Sequence, residues 1–100
     1  MLDLARITGF DWDDGNAGKN AKHDVSNAEA EQVFFNTPVL VAPDGKHSQQ
    51  EPRMHALGVT NEGRRLQITF TLRDEGQKIR VISARPMNRK ERTAYEQQGT

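Results

Sequence analysis

Cysteine is absent from the 100-residue chain, which excludes disulfides and thiolate-held metals and leaves the redox compartment open. Aromatic residues make up only 6% of it, and no apolar run approaches the roughly 20 residues that a membrane-spanning helix needs. The opening stretch Met1–Ile7 lacks the long apolar core of a secretory leader, so a cytoplasmic protein with no membrane association is expected. A surplus of charge of one sign is missing too, since 14 basic residues balance 14 acidic ones. What remains is 34% hydrophobic and 28% charged, a composition that suits one soluble globular domain over residues 1–100. A chain of this size buries only about two-thirds of its unfolded surface, so its core must be modest.

The zero balance hides a polarity. Residues 1–36 hold seven acidic side chains against three basic ones, a net −4, whereas 73–92 hold seven basic against three acidic, a net +4. Such a chain can turn a basic face to phosphates while its other half meets a different partner. Charge alone leaves open the plainer reading that both segments are ordinary solvated faces.

Hydrophobic periodicity organises the rest. Phe10-Asp11-Trp12 alternates like a brief strand, Asp13–Asn16 turns the chain, and a polar helix around Ala17–Lys22 follows. Ser26 and Glu29 have capping-box spacing and open a second helix, with Val25 and Ala30 placed as a hydrophobic staple. Ala30, Val33, Phe34 and Thr37 share one face of it, and Thr37-Pro38 stops it. Val39–Ala42 reads as a strand ending at Pro43-Asp44-Gly45, and Met54–Thr60 as another. Leu66, Ile68, Phe70 and Leu72 alternate with Gln67, Thr69, Thr71 and Arg73, the period of a strand with one face on a core. Ile79–Ala84, apolar apart from Arg80 and Ser83, reads as a central strand. Asn88 and Glu91 repeat the cap spacing and open a last helix with the stripe Met87, Glu91, Ala94, Tyr95. The expected fold is α+β: two N-terminal helices, a four-stranded antiparallel sheet and a C-terminal helix.

Several of these pieces resemble the BrnT family of bacterial toxins. Phe10–Asn16 with Lys19-Asn20 and Lys22-His23 is similar to its opening signature, continued by Val25-Ser26, Glu29-Ala30-Glu31 and Val33-Phe34. Asp44, Lys46-His47-Ser48, Glu51-Pro52-Arg53 and Ala56-Leu57-Gly58 look like its middle. Thr71-Leu72-Arg73 and Ile79–Arg85 look like its hairpin, and Arg89–Arg92 with Tyr95-Glu96 like its last helix. The resemblance runs in order over residues 10–96. The chain departs from the pattern at Asp24, where glycine is usual, and at Met54, where tryptophan is usual; methionine fills irregular core gaps readily. The resemblance implies a RelE-like fold and a toxin that cuts RNA and stops translation. It also implies a BrnA-like ribbon-helix-helix antitoxin in a heterotetramer with the toxin, with DNA met only through that antitoxin.

The residues available suit such chemistry. Metal-free RNA cleavage uses the ribose 2′-hydroxyl as nucleophile and needs a base, an acid and cations for the developing charge. No cofactor or metal is expected, and His23, His47 and His55 lack a ligand spacing that would suggest one. Arg80 and Arg85 are the candidates for charge stabilisation, because a guanidinium fork can hold two phosphate oxygens. A single arginine is ordinarily a solvated surface residue, but Arg80, inside an apolar strand, needs a reason to be there. His47, Glu91 and Tyr95 are the catalytic acid–base candidates, with Glu91 and Tyr95 on one face of the last helix; His23 has suitable chemistry as well. Tyr95 has an equal alternative role, docking that helix on the sheet. Arg73, Lys46, Lys22, Arg89 and Arg92 are the candidates for RNA contact, and His55 reads as a strand residue without a catalytic role. A nucleic-acid-binding regulator without catalysis and a pure protein-interaction module remain the alternatives.

Overall fold

Backbone pairing, more than helix packing, organises this molecule. In the computed structural model, which describes residues 4–13, 15–16, 23–45 and 52–98, five strands form a single sheet. They are β1 (Gly9–Phe10), β2 (Leu40–Pro43), β3 (Met54–Val59), β4 (Arg65–Arg73) and β5 (Lys78–Pro86), in the order β1-β5-β4-β3-β2. A 3-10 turn at Leu4–Arg6 precedes β1, helix α1 spans Asn27–Phe35 and helix α2 spans Arg89–Gln98.

The sheet departs from the four antiparallel strands expected. β1 adds a fifth strand, parallel to β5, with Gly9 opposite Lys78 and Phe10 opposite Ile79. The reason is an open edge: β5 would otherwise expose unpaired backbone groups. Thr8 N donates to Gln77 O at 2.7 Å and Asp11 N to Ile79 O at 2.8 Å, so the incoming chain satisfies that edge and itself together. β5 is therefore interior, but the centre belongs to β4, which has a long partner on each side. The helix expected around Ala17–Lys22 lies outside the described residues. Among the described residues one α-helix, α1, lies between β1 and β2, where two helices were expected before the sheet.

α1 begins as its sequence dictates. The Ser26 hydroxyl accepts from Glu29 N at 3.1 Å and the Glu29 carboxylate accepts from Ser26 N at 3.0 Å, the reciprocal bonds of a capping box. It ends at Phe35, short of Thr37, which is exposed. Asn36 turns extended there, and its side-chain amide donates to Val59 O at 2.9 Å and Asn61 Oδ1 at 3.0 Å, tying the helix end to the sheet. Ala30, Val33 and Phe34 are buried against Ala56, Leu66, Ile68, Phe70, Ile79, Val81 and Ala84. The Phe34 ring meets Phe70 edge-on at 5.0 Å and lies 5.7 Å from Phe10. Gly58 permits this close docking: a Cβ there would lie 2.7 Å from Val33 Cγ1. Met54 packs against the same core, as a gap-filling side chain should.

One irregularity decides which residues share the other face. Arg80 and Arg85 are five apart, so a regular strand would point them to opposite sides. A bulge interrupts the β4–β5 ladder between Thr69 and Phe70: Thr71 pairs with Arg80 and Phe70 with Val81, but Thr69 pairs with Ser83 and Gln67 with Arg85. Ile82 is the extra residue, and it returns Arg85 to the face that carries Arg80. No helix among the described residues is long and apolar enough to cross a membrane.

Candidate active site

The sheet face opposite α1 gathers polar side chains by register: His55 on β3, Gln67, Thr69 and Thr71 on β4, and Arg80, Ser83 and Arg85 on β5. Alternation predicts a solvated face here, yet Gln67, Thr69 and Thr71 are only 4%, 9% and 1% exposed. Buried polar groups need partners, and these have them. The Thr71 hydroxyl donates to Pro52 O at 2.6 Å. Gln67 Nε2 and the Thr69 hydroxyl both approach His55 Nδ1, the latter at 3.0 Å. On the other side of the ring, His55 Nε2 lies 3.1 Å from Oδ2 of Asp44, itself buried at the end of β2.

At the adjoining end of β5, Arg85 makes a two-pronged ion pair with Glu91: Nη1 donates to Oε1 at 2.7 Å and Nη2 to Oε2 at 2.9 Å. Glu91 is placed by the second capping box, where its carboxylate accepts from Asn88 N at 2.9 Å and Asn88 Oδ1 accepts from Glu91 N at 2.8 Å. Burial would raise the Glu91 carboxyl, but the Arg85 guanidinium, the Asn88 amide and the nearby His55 outweigh it and hold it below the usual range. Glu91 in turn raises the Arg85 guanidinium further. These groups border a cavity of about 310 Å³, lined by the apolar Leu40, Val41, Ala42 and Leu57 together with His55, Gln67, Arg85 and Glu91. A concave site with an apolar wall and a few convergent polar groups is the usual form of a small-ligand or active site. Among the described residues no three His, Asp or Glu side chains converge as metal ligands.

Of the catalytic residues proposed from sequence, the cavity unites Arg85 and Glu91. Arg80 shares their face but has a different partner. Its Nη1 and Nη2 donate to the two carboxylate oxygens of Asp13 at 2.9 and 3.0 Å, and Asp11 Oδ2 lies 3.5 Å away. The Arg80 hydrogen bonds hold the Asp13 carboxyl below the usual range. Asn16 completes the clamp: its amide donates to Asp11 O at 2.9 Å and Val81 O at 3.0 Å, and its Oδ1 accepts from Asp13 N at 2.8 Å. The acidic N-terminal stretch therefore folds onto the basic strand, and the polarity of the sequence does not become two separate faces. Trp12 is drawn in as well, its Nε1 donating to Glu31 Oε2 at 2.7 Å.

Tyr95 is 5% exposed, its hydroxyl donates to Pro38 O at 2.6 Å, and burial pushes its phenol above the usual value. It docks α2, of which it is the one buried side chain; Ala94, expected on the same stripe, is exposed. Arg73 pairs with Lys78 at the far end of the hairpin, about 20 Å along the strand from Arg85. Arg89 and Arg92 are exposed on α2, with Arg92 Nη1 donating to Met87 O at 3.4 Å. His47, Lys46 and Lys22 lie outside the described residues, and His23 is exposed. The sequence reading left His55 as a strand residue and gave Asp44 no part in a site. The signal that could have joined them was the pairing of 40–43 with 54–57, which places Ala42 opposite His55 and carries the chain on to Asp44.

Comparison with known families identifies the chain's relatives. A family model described as the ribonuclease toxin, BrnT, of a type II toxin–antitoxin system matches residues 12–91, from Trp12 through Glu91 and so across β2 to β5 and the cavity. No curated protein matches the chain.

Proposed function

The chain belongs to the BrnT family, the ribonuclease toxins of type II toxin–antitoxin systems, and from that membership we propose that it cleaves RNA in the cytoplasm without a metal ion, and so arrests translation. Its antitoxin partner is proposed to be a BrnA-like ribbon-helix-helix protein, joined in a heterotetramer and supplying the contact with DNA. The observation that supports cleavage is the placement of the Arg85 fork on the wall of the cavity, beside titratable groups from three other segments.

Arg85 is half-buried and already grips a carboxylate with both prongs. A phosphodiester offers the same pair of acceptor oxygens with the same charge, so the scissile phosphate can replace Glu91 on the fork. Catalysis then comes from that fixed cation meeting the charge that develops on the phosphate as the 2′-hydroxyl attacks. Arg80 is assigned a positioning role, holding the Asp11–Asn16 turn against β5, with its charge on the same face as a second anchor. Arg73, Arg89 and Arg92, with Lys46 and Lys22, are assigned to phosphates further along the RNA, where each contributes affinity and salt dependence but no chemistry.

The test is incubation of the purified chain with RNA, with and without EDTA, followed by expression in bacteria alone and with the antitoxin. Cleavage that survives EDTA, growth arrest by the chain alone and its relief by the antitoxin are the expected results. A gel shift without cleavage would instead make the chain a nucleic-acid-binding regulator, and neither shift nor cleavage would make it an interaction module.

A further inference from the structure

A base is still required at this cavity, and among the described residues its lining offers few groups. Arg85 cannot give up its proton. Glu91 accepts from Arg85 twice and from Asn88 N once; when a phosphate takes its place on the fork it keeps the Asn88 bond, and a carboxylate is a weaker base than an imidazole. Gln67 does not titrate. His55 remains, and its surroundings fix what its two nitrogens can do.

The carboxylate facing Nε2 can only accept, so that nitrogen carries the ring hydrogen and points it at Asp44. Nδ1 then holds the lone pair, and the groups that meet it, the Gln67 amide and the Thr69 hydroxyl, are both able to donate. Nδ1 is thus the basic atom, and His55 and Gln67 both border the cavity. Asp44 is 8% exposed and lies 3.1 Å from Nε2, so its carboxylate fixes the orientation of the ring. A carboxylate that orients an imidazole and stabilises its protonated form is a recurring arrangement for general-base catalysis. Among the described residues, Arg85 and Glu91 are the other charged groups on this cavity, paired with each other when no phosphate is bound.

We propose that His55, oriented by Asp44, is the catalytic base of this site, and that it takes the ribose 2′-hydroxyl proton on Nδ1 while Arg85 holds the adjacent phosphate; this rests on the ribonuclease reading. The 2′-hydroxyl takes the place of the Gln67 amide at Nδ1. Its proton passes to Nδ1 as the 2′-oxygen bonds to phosphorus, and the bond from phosphorus to the 5′-oxygen breaks. The departing 5′-oxygen takes a proton from water, and the imidazolium returns its own to water. The products are a 2′,3′-cyclic phosphate and a 5′-hydroxyl end.

The experiment uses the full chain with bacterial RNA, free and on translating ribosomes, and reads cyclic-phosphate product. Wild-type protein is expected to make it. His55→Ala is expected to lose about 10²–10⁴ in kcat with KM within a few-fold, and added imidazole to restore part of the loss. A wild type that makes no cyclic phosphate in either setting removes the ribonuclease reading and this base together. An active wild type whose folded His55→Ala variant stays within about tenfold, or loses activity that imidazole does not restore, overturns the base alone. If His55→Ala melts near the assay temperature, His55→Gln serves, since it can still donate to Asp44 but cannot accept the proton; undiminished cleavage by that variant overturns the proposal as well.

Discussion

Two arginines on one face of the same strand have opposite expected fates on removal, because their carboxylate partners lie on different segments. Arg85 sits at the cavity, and Arg85→Ala is expected to lower RNA cleavage by about 10²–10³, the usual cost of one transition-state contact. Its pair with Glu91 is screened by water and adds no more than about 1 kcal/mol to stability, so the melting curve should move little; a variant as active as the parent removes Arg85 from the chemistry. Arg80 clamps the Asp11–Asn16 turn through Asp13. Arg80→Ala is expected to speed hydrogen exchange at the Asp11 and Asn16 amides while β4 stays protected, and unchanged exchange there would mean that the turn holds without it. Glu29 supplies a pH dependence. The Ser26 backbone amide first, and then Arg64, hold its carboxyl below the ordinary 4.5. A depressed carboxyl adds stability that is present above the unfolded value and is lost as pH falls through the folded one. Glu29→Gln should therefore flatten the acid side of the melting-temperature profile below about pH 5; a slope equal to wild type would contradict this.

At the scale of elements, α1 is held to the sheet by the absence of one side chain. A Cβ at Gly58 would come within 2.7 Å of Val33 Cγ1 and 3.2 Å of Val33 O, so the helix backbone as well as a methyl would have to give way. Gly58→Ala is expected to cost about 1–3 kcal/mol in denaturant unfolding. Val33→Ala alone leaves a void and also destabilises, but the double variant should lose less than the two single losses combined, since the added methyl enters the space vacated. Strict additivity would show that α1 and β3 do not meet as described. The bulge at Ile82 matters equally: without the extra residue, Arg85 would point into the core and the cavity would lose its cation.

For the whole molecule the question is how an antitoxin silences it. The cavity, β5 and α2 form one continuous region through Arg85 and Glu91, and an antitoxin segment that folds across it would exclude RNA by occupying the same surface. Coupled folding of that kind buries on the order of 1,000 Å² or more. Hydrogen exchange of the toxin with and without antitoxin is expected to show added protection over residues 73–95. Protection confined to residues 10–36 would mean inhibition from a distance. The clamp between Arg80 and Asp13 gives that outcome a physical route, because the acidic turn reaches the basic strand directly.

Local rules determined much of this protein from sequence alone. The capping boxes at Ser26 and Asn88, the alternation of Leu66 to Arg73 and the family resemblance all rest on neighbours within a few residues or on ordered motifs, and all are legible without a fold. What needed the tertiary structure was whatever depends on pairing across distance. Sequence cannot show that β1 closes the β5 edge, that a bulge restores Arg85 to the face of Arg80, or that Asp13 and Glu91 claim the two arginines. Nor can it bring Asp44 to His55, for a histidine in a strand and an aspartate in a turn are each unremarkable, and only the β2–β3 register makes them a pair.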